Sequence, residues 1–242
     1  MYTPSIEQIK KLAKKGNLIP VYREISADLE TPVSAYLKIA KPPYSFLLES
    51  VEGENQIARY SFIGTEPYDV IKTGHGQKNG PVDPLVPIQD ALSSLKAVDI
   101  PNVQRFNGGA VGYLSYEAAS YFEKLPVPTS DPLGLPESIF MLTTTFLVFD
   151  HLRHKIRIVS HAHLKGDIDQ AYADAISRID DLVQRLKAPI PQTDIDGEKF
   201  KTKKTKSNLS KKTYTKAVER IIDYIHSGDC IQVVFSQRFS RE

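Results

Sequence analysis

Apolar and polar positions follow two periods along this chain, and each change of period marks an element. Ile6, Ile9 and Leu12 recur at helical spacing behind Ser5, whose hydroxyl can cap free amides, and Lys14, Lys15 and Gly16 close the segment. Val33, Tyr36, Leu37 and Ile39 predict a second short helix, stopped by Pro42-Pro43, whose rings and missing amide hydrogens cannot continue it. Phe46, Leu47 and Leu48 then form an apolar run. Ile57, Tyr60 and Phe62 alternate up to Gly64, and Gly53, Glu54 and Asn55 supply turn chemistry between the two stretches, so the pair predicts a β-hairpin.

Further on, Thr73 to Pro87 is rich in glycine, proline and polar residues and predicts an exposed loop, followed by an amphipathic helix from Ile88 to Leu95. Gly108 to Tyr116 predicts a strand. Ile139 to Asp150 and Lys155 to His161 are rich in branched and aromatic residues and predict a long antiparallel hairpin turning at His151 to His154. From Asp167 to Lys187, the residues Ile168, Tyr172, Ile176, Ile179, Val183 and Leu186 fall at helical spacing, with Asp167 as cap. Ala188 to Ser210 turns polar, with a lysine run from Lys199 to Lys206, and reads as a linker. Tyr214, Val218, Ile221, Ile222 and Ile225 predict a helix ended by Gly228, and Ile231 to Phe239 a strand.

The pattern predicts a mixed α+β fold built mainly on antiparallel sheets with helices packed outside. It divides into a domain over residues 1–187, a linker over 188–210 and the start of a second domain over 211–242. The last strand has no later partner to cover it, so the second domain is expected to be incomplete.

Composition narrows the function classes. A chain of 242 residues with 41% hydrophobic content can bury a sizeable core, and 31 Lys+Arg against 29 Asp+Glu leave a charge of +2, which argues against nucleic-acid binding over the whole surface. A small molecule or a protein partner is the expectation. Cys230 is the one cysteine, so no intrachain disulfide can form, and the expected compartment is the reducing cytoplasm. No stretch reaches the ~20 apolar residues of a membrane span.

Candidate chemistry concentrates at the first hairpin. Glu49, Ser50 and Arg59 place a carboxylate, a hydroxyl and a guanidinium near one sheet end, a set that can hold a ligand carrying both an ammonium and a carboxylate. The same residues also suit a Glu-Arg surface pair beside a turn. His161-Ala-His163 could grip a metal from one strand face, but with no third ligand nearby these histidines, like His151 and His154, are expected in solvent. Gly108-Gly-Ala-Val-Gly112 lacks the lysine and Ser/Thr of a phosphate loop and the spacing of a dinucleotide fingerprint, so its glycines read as close backbone packing. Cys230 reads as a buried, inert thiol.

Leu47-Leu-Glu-Ser50 followed by Arg59-Tyr-Ser-Phe-Ile-Gly64 resembles the amino-terminal domain of the anthranilate synthase component I family, chorismate-using enzymes that open tryptophan biosynthesis. Pro20-Val-Tyr-Arg-Glu-Ile25, Thr31-Pro-Val-Ser-Ala-Tyr36, Gly108 to Tyr116 and Ser227 to Phe239 extend the resemblance over nearly the whole chain, in the family's order. The resemblance implies that Glu49 and Ser50 belong to a feedback site for L-tryptophan, with Arg59 beside them, although Ala58 stands where the family has glycine. It implies conversion of chorismate and ammonia to anthranilate and pyruvate, a glutamine amidotransferase partner that supplies the ammonia, and a magnesium ion whose ligands lie beyond residue 242. Gln232 is the candidate lining of the chorismate site. It matches a position that resembles a lysine in relatives that add water, and an amide cannot serve as their general base. Glutamine there is shared with the sister enzyme aminodeoxychorismate synthase, which Ser227-Gly-Asp-Cys230 resembles slightly, whereas the Leu47 to Ser50 motif favours anthranilate synthase. For this chain alone, the alternative is a tryptophan-sensing module without catalysis.

Overall fold

A computed structural model describes residues 1–49, 59–100, 106–127, 131, 133–191 and 204–241. Its contacts divide the chain into Met1–Pro191 and Gln192–Glu242.

In the first unit the elements run α1 (Ile6–Leu12), β1 (Leu18–Ser26), α2 (Pro32–Ile39), β2 (Ser45–Glu49), β3 (Tyr60–Thr65), β4 (Asp69–Thr73), α3 (Leu85–Ser93), β5 (Gly109–Leu114), a 3-10 turn (Tyr116–Tyr121), β6 (Ser138–Thr143), β7 (Thr145–Asp150), β8 (Lys155–His163) and α4 (Ile168–Leu186). The helix starts are locally encoded. Ser5 with Gln8, and Thr31 with Ser34, exchange side chain and backbone hydrogen bonds in capping boxes, and the Asp167 carboxylate accepts from the Asp169 amide.

Five strands form an antiparallel sheet in the order β1-β8-β7-β3-β2, and three more form a second sheet in the order β4-β6-β5. Ile19, Val21, Ile63, Leu147, Phe149, Ile156 and Ile158 line one face of the larger sheet and pack with Ile9 of α1, Ala35 and Ile39 of α2 and Ala175, Ile179, Leu182, Val183 and Leu186 of α4. Each fully buried Ile or Leu contributes roughly 1.5–3 kcal/mol by leaving water. Tyr22, Tyr60, Phe62, Phe106, Phe146, Val148 and Val159 gather on the other face. Arg178 of α4 donates to Ser160 Oγ and to the His161 carbonyl, both at 2.9 Å, tying helix to sheet by polar contacts as well. In the smaller sheet, Ile71 and Leu142 pack with Ile88 of α3.

Two expectations need correction. The stretch Ile139 to Asp150 is not one strand: it breaks at Thr144, so that β6 serves the smaller sheet and β7 the larger. The Thr144 carbonyl accepts from both the backbone amide (3.0 Å) and Nδ1 (2.9 Å) of His161, which fixes the corner. In the second unit, β9 (Lys206–Ser207), α5 (Lys211–His226) and β10 (Phe239–Ser240) are formed, but the strand expected from Ile231 is not. β10 meets β9 over only two residue pairs, so residues 231–238 have no ladder neighbour among the described residues, and Ile231 and Val234 stand in solvent. The turn residues Gly53, Glu54 and Asn55 and most of the expected linker, 192–203, lie outside the described residues.

Candidate functional site

The expected hairpin is present: β2 and β3 pair antiparallel, Leu47 opposite Ile63, Leu48 opposite Phe62 and Glu49 opposite Ser61. On the next strand Phe149 lies opposite Ser61 and Asp150 opposite Tyr60. Side chains alternate across a sheet, so this register sorts the polar residues at the hairpin's end by face. Glu49, Ser61 and Phe149 share the helix-covered face, and Tyr60 and Asp150 share the other.

Glu49 ends β2 with its carboxylate exposed. Ser61 beside it is buried, and its hydroxyl lies 2.8 Å from Nε2 of His151. The His151 ring is stacked on Phe149, with centroids 6.3 Å apart and planes at 26°. This histidine was expected only in solvent. It is exposed, yet it is bonded to the buried hydroxyl opposite Glu49.

Arg59 lies on the other side. Its Nε and Nη2 donate to the two carboxylate oxygens of Asp150 at 3.1 and 2.7 Å, and its guanidinium sits 4.9 Å from the Tyr60 ring centroid. The hydrogen bonds to Asp150 hold the Arg59 pKa above its ordinary value. Burial works against the charged Asp150 carboxylate, but the hydrogen bonds from Arg59 and from the Arg153 amide outweigh it, so the Asp150 pKa is lowered. The structure therefore brings Glu49 together with Ser61 and His151, and Arg59 together with Asp150. The ion-pair partner of Arg59 is Asp150, not Glu49. Ser50 lies outside the described residues. The signal for the missed residues was the polar pair Asp150-His151 directly after the apolar run Phe146 to Phe149.

Gln232 is exposed in the segment between α5 and β10 of the second unit. The expectation of solvated histidines at 161 and 163 fails for His161, which is 1% exposed. Burial lowers its pKa, the bond to the Thr144 carbonyl opposing and Arg178 reinforcing the shift. The ring continues an aromatic row from Phe62 through Phe106 and Phe146. Cys230, expected buried, is half-exposed. Among the described residues, no group of three or more His, Cys, Asp or Glu side chains could hold a metal ion. Among the same residues, no helix is long and apolar enough to cross a membrane.

The family described as chorismate binding enzyme matches residues 43–242. Anthranilate synthase component 1 of Acetivibrio thermocellus is 38% identical over 257 residues, taking in 100% of this chain and 52% of that protein. The probable anthranilate synthase component 1 of Schizosaccharomyces pombe is 36% identical over 98% of this chain and 49% of its own length. That of Pseudomonas putida is 38% identical over 97% and 50%. The chain thus spans about half the length of the curated relatives it matches. The crystal structure of anthranilate synthase component I from Streptococcus pneumoniae TIGR4 superimposes with a TM-score of 0.58 at 25% identity, covering 90% of this chain and 48% of that one.

Proposed function

This chain belongs to the family of chorismate binding enzymes, and from that premise we propose that it is the amino-terminal part of an anthranilate synthase component I. The observation that carries the reading is the alignment of essentially the whole chain with proteins of that name from three distant organisms. The complete protein would convert chorismate and ammonia to anthranilate and pyruvate, with ammonia released from glutamine by a component II amidotransferase. It would use magnesium held by residues outside this chain, as a Lewis acid at the substrate. Gln232 suits this chemistry: ammonia attacks as a free amine and needs no side chain to deprotonate it, whereas water would need a base that an amide cannot provide.

We propose further that the end of the β2–β3 hairpin senses L-tryptophan. The exposed Glu49 carboxylate is the receptor for the ligand's ammonium, Ser50 contacts it next in sequence, and Arg59 belongs to the site as a brace, its Nε and Nη2 being taken by Asp150.

The test uses the full-length protein with chorismate, ammonium and magnesium, product identification by chromatography, and titration with L-tryptophan. Anthranilate suppressed by tryptophan is the expected result; aminodeoxychorismate or a hydroxylated product would overturn the assignment. Ser50→Phe is expected to relieve the inhibition while turnover largely persists, and unchanged inhibition in that variant would remove Ser50 from the site.

A further inference from the structure

Residues 59–61, where β3 begins, are held by two consecutive residues at the end of β7. The Asp150 carboxylate takes two hydrogen bonds from the Arg59 side chain on one face of the sheet, and a third from the Arg153 amide at 3.2 Å. The carboxylate stands opposite Tyr60, whose ring underlies the same guanidinium. The backbone amide of His151 donates to the Arg59 carbonyl at 3.0 Å. On the opposite face the imidazole reaches Ser61 Oγ, and its ring is seated on Phe149, which is 2% exposed and part of the main core. The bracket is thus anchored in the core and closes on the residue that pairs with Glu49.

A strand end frays unless something beyond its ladder holds it, and a binding group on a fraying end loses affinity to the entropy of ordering it. Resting on the reading of this hairpin end as a tryptophan site, we infer that Asp150 and His151 are positioning residues for it: they hold the start of β3 from both faces and so fix the backbone from which Glu49 presents its carboxylate. They act on the ligand through Arg59 and Ser61, which they hold in place, and do not contact it themselves.

The experiment measures the L-tryptophan concentration that half-inhibits anthranilate formation by the full-length protein, with the KM for chorismate as control. Asp150→Asn and His151→Ala are each expected to raise that concentration about tenfold, the scale of one lost buried hydrogen-bond partner, with KM little changed. His151→Gln, whose amide can still reach Ser61 Oγ, is expected to restore sensitivity. Ser61→Ala removes the same contact by a change too small to unfold the sheet, and is expected to match His151→Ala, with the double variant no worse than either single one. Half-inhibition within about twofold of the parent in both Ser61→Ala and Asp150→Asn would overturn the inference. If the parent is inhibited and Ser50→Phe relieves it while the bracket variants do not, only the bracket fails. If the parent ignores tryptophan altogether, the sensing site fails and the bracket with it.

Discussion

Arg59 and Asp150, 91 residues apart, meet through two parallel hydrogen bonds of 3.1 and 2.7 Å at the point where β3 begins and β7 ends. Such a forked pair fixes direction as well as distance, and it joins the hairpin that carries Glu49 to the central strands of the larger sheet.

The pair sets an acid limit on stability. The folded Asp150 pKa lies below its ordinary value of 3.8, so the unfolded chain takes up this proton first as pH falls. Its contribution is complete above about pH 4 and is lost as pH drops through the folded value. Asp150→Asn is therefore expected to be less stable than the parent near neutrality, with the gap narrowing by about pH 3. Urea unfolding at both pH values measures it; a gap that stays constant would mean that the carboxylate's charge contributes nothing.

His161 acts at milder pH. Its folded pKa is depressed below 6.5, chiefly by burial, so acidification protonates it in the unfolded chain before the folded one. Stability from this residue is complete above about pH 6.5 and declines as pH falls from there toward the folded value. His161→Gln should flatten the dependence between about pH 7.5 and about pH 5.5, as read from urea midpoints. An undiminished slope in the variant would assign the effect to other groups.

Gly112 is where the glycine-rich strand meets β6 most closely. An added Cβ would stand 1.9 Å from the Ile139 carbonyl oxygen and 2.7 Å from the Phe140 Cα, and backbone cannot swing aside as a side chain can. Gly112→Ala should cost roughly 1–3 kcal/mol or more. Gly166→Ala, whose Cβ would meet nothing within 4 Å, is the control expected to stay near the parent in thermal unfolding. Equal melting temperatures for the two variants would contradict the close approach.

Much of this protein is written locally. Ser5, Thr31 and Asp167 announce helices because a capping oxygen lies within three residues of the amide it satisfies, and the α4 stripe from Ala175 to Leu186 is a matter of period alone. The β2–β3 pairing was legible for the same reason, two alternating runs close in sequence, and it gave Glu49 its place at a strand end.

Tertiary structure decided what period cannot express. Alternation looks the same whichever sheet a strand joins, so nothing local in the run from Ser138 to Asp150 says that it changes sheets at Thr144; His161, 17 residues on, says it by binding that carbonyl. A His-Ala-His stretch looks polar until a second face of aromatic rings covers one of its histidines. Arg59 pairs with Asp150 because β7, distant in sequence, lies beside β3 and brings its last carboxylate within reach of the guanidinium. A strand is defined by what lies beside it, and among the described residues the apolar alternation after Ile231 finds only the two residues of β9 to pair with. Sequence determined the elements and their caps; the non-local pairing of backbones determined which side chains share a face, and through that the composition of the site.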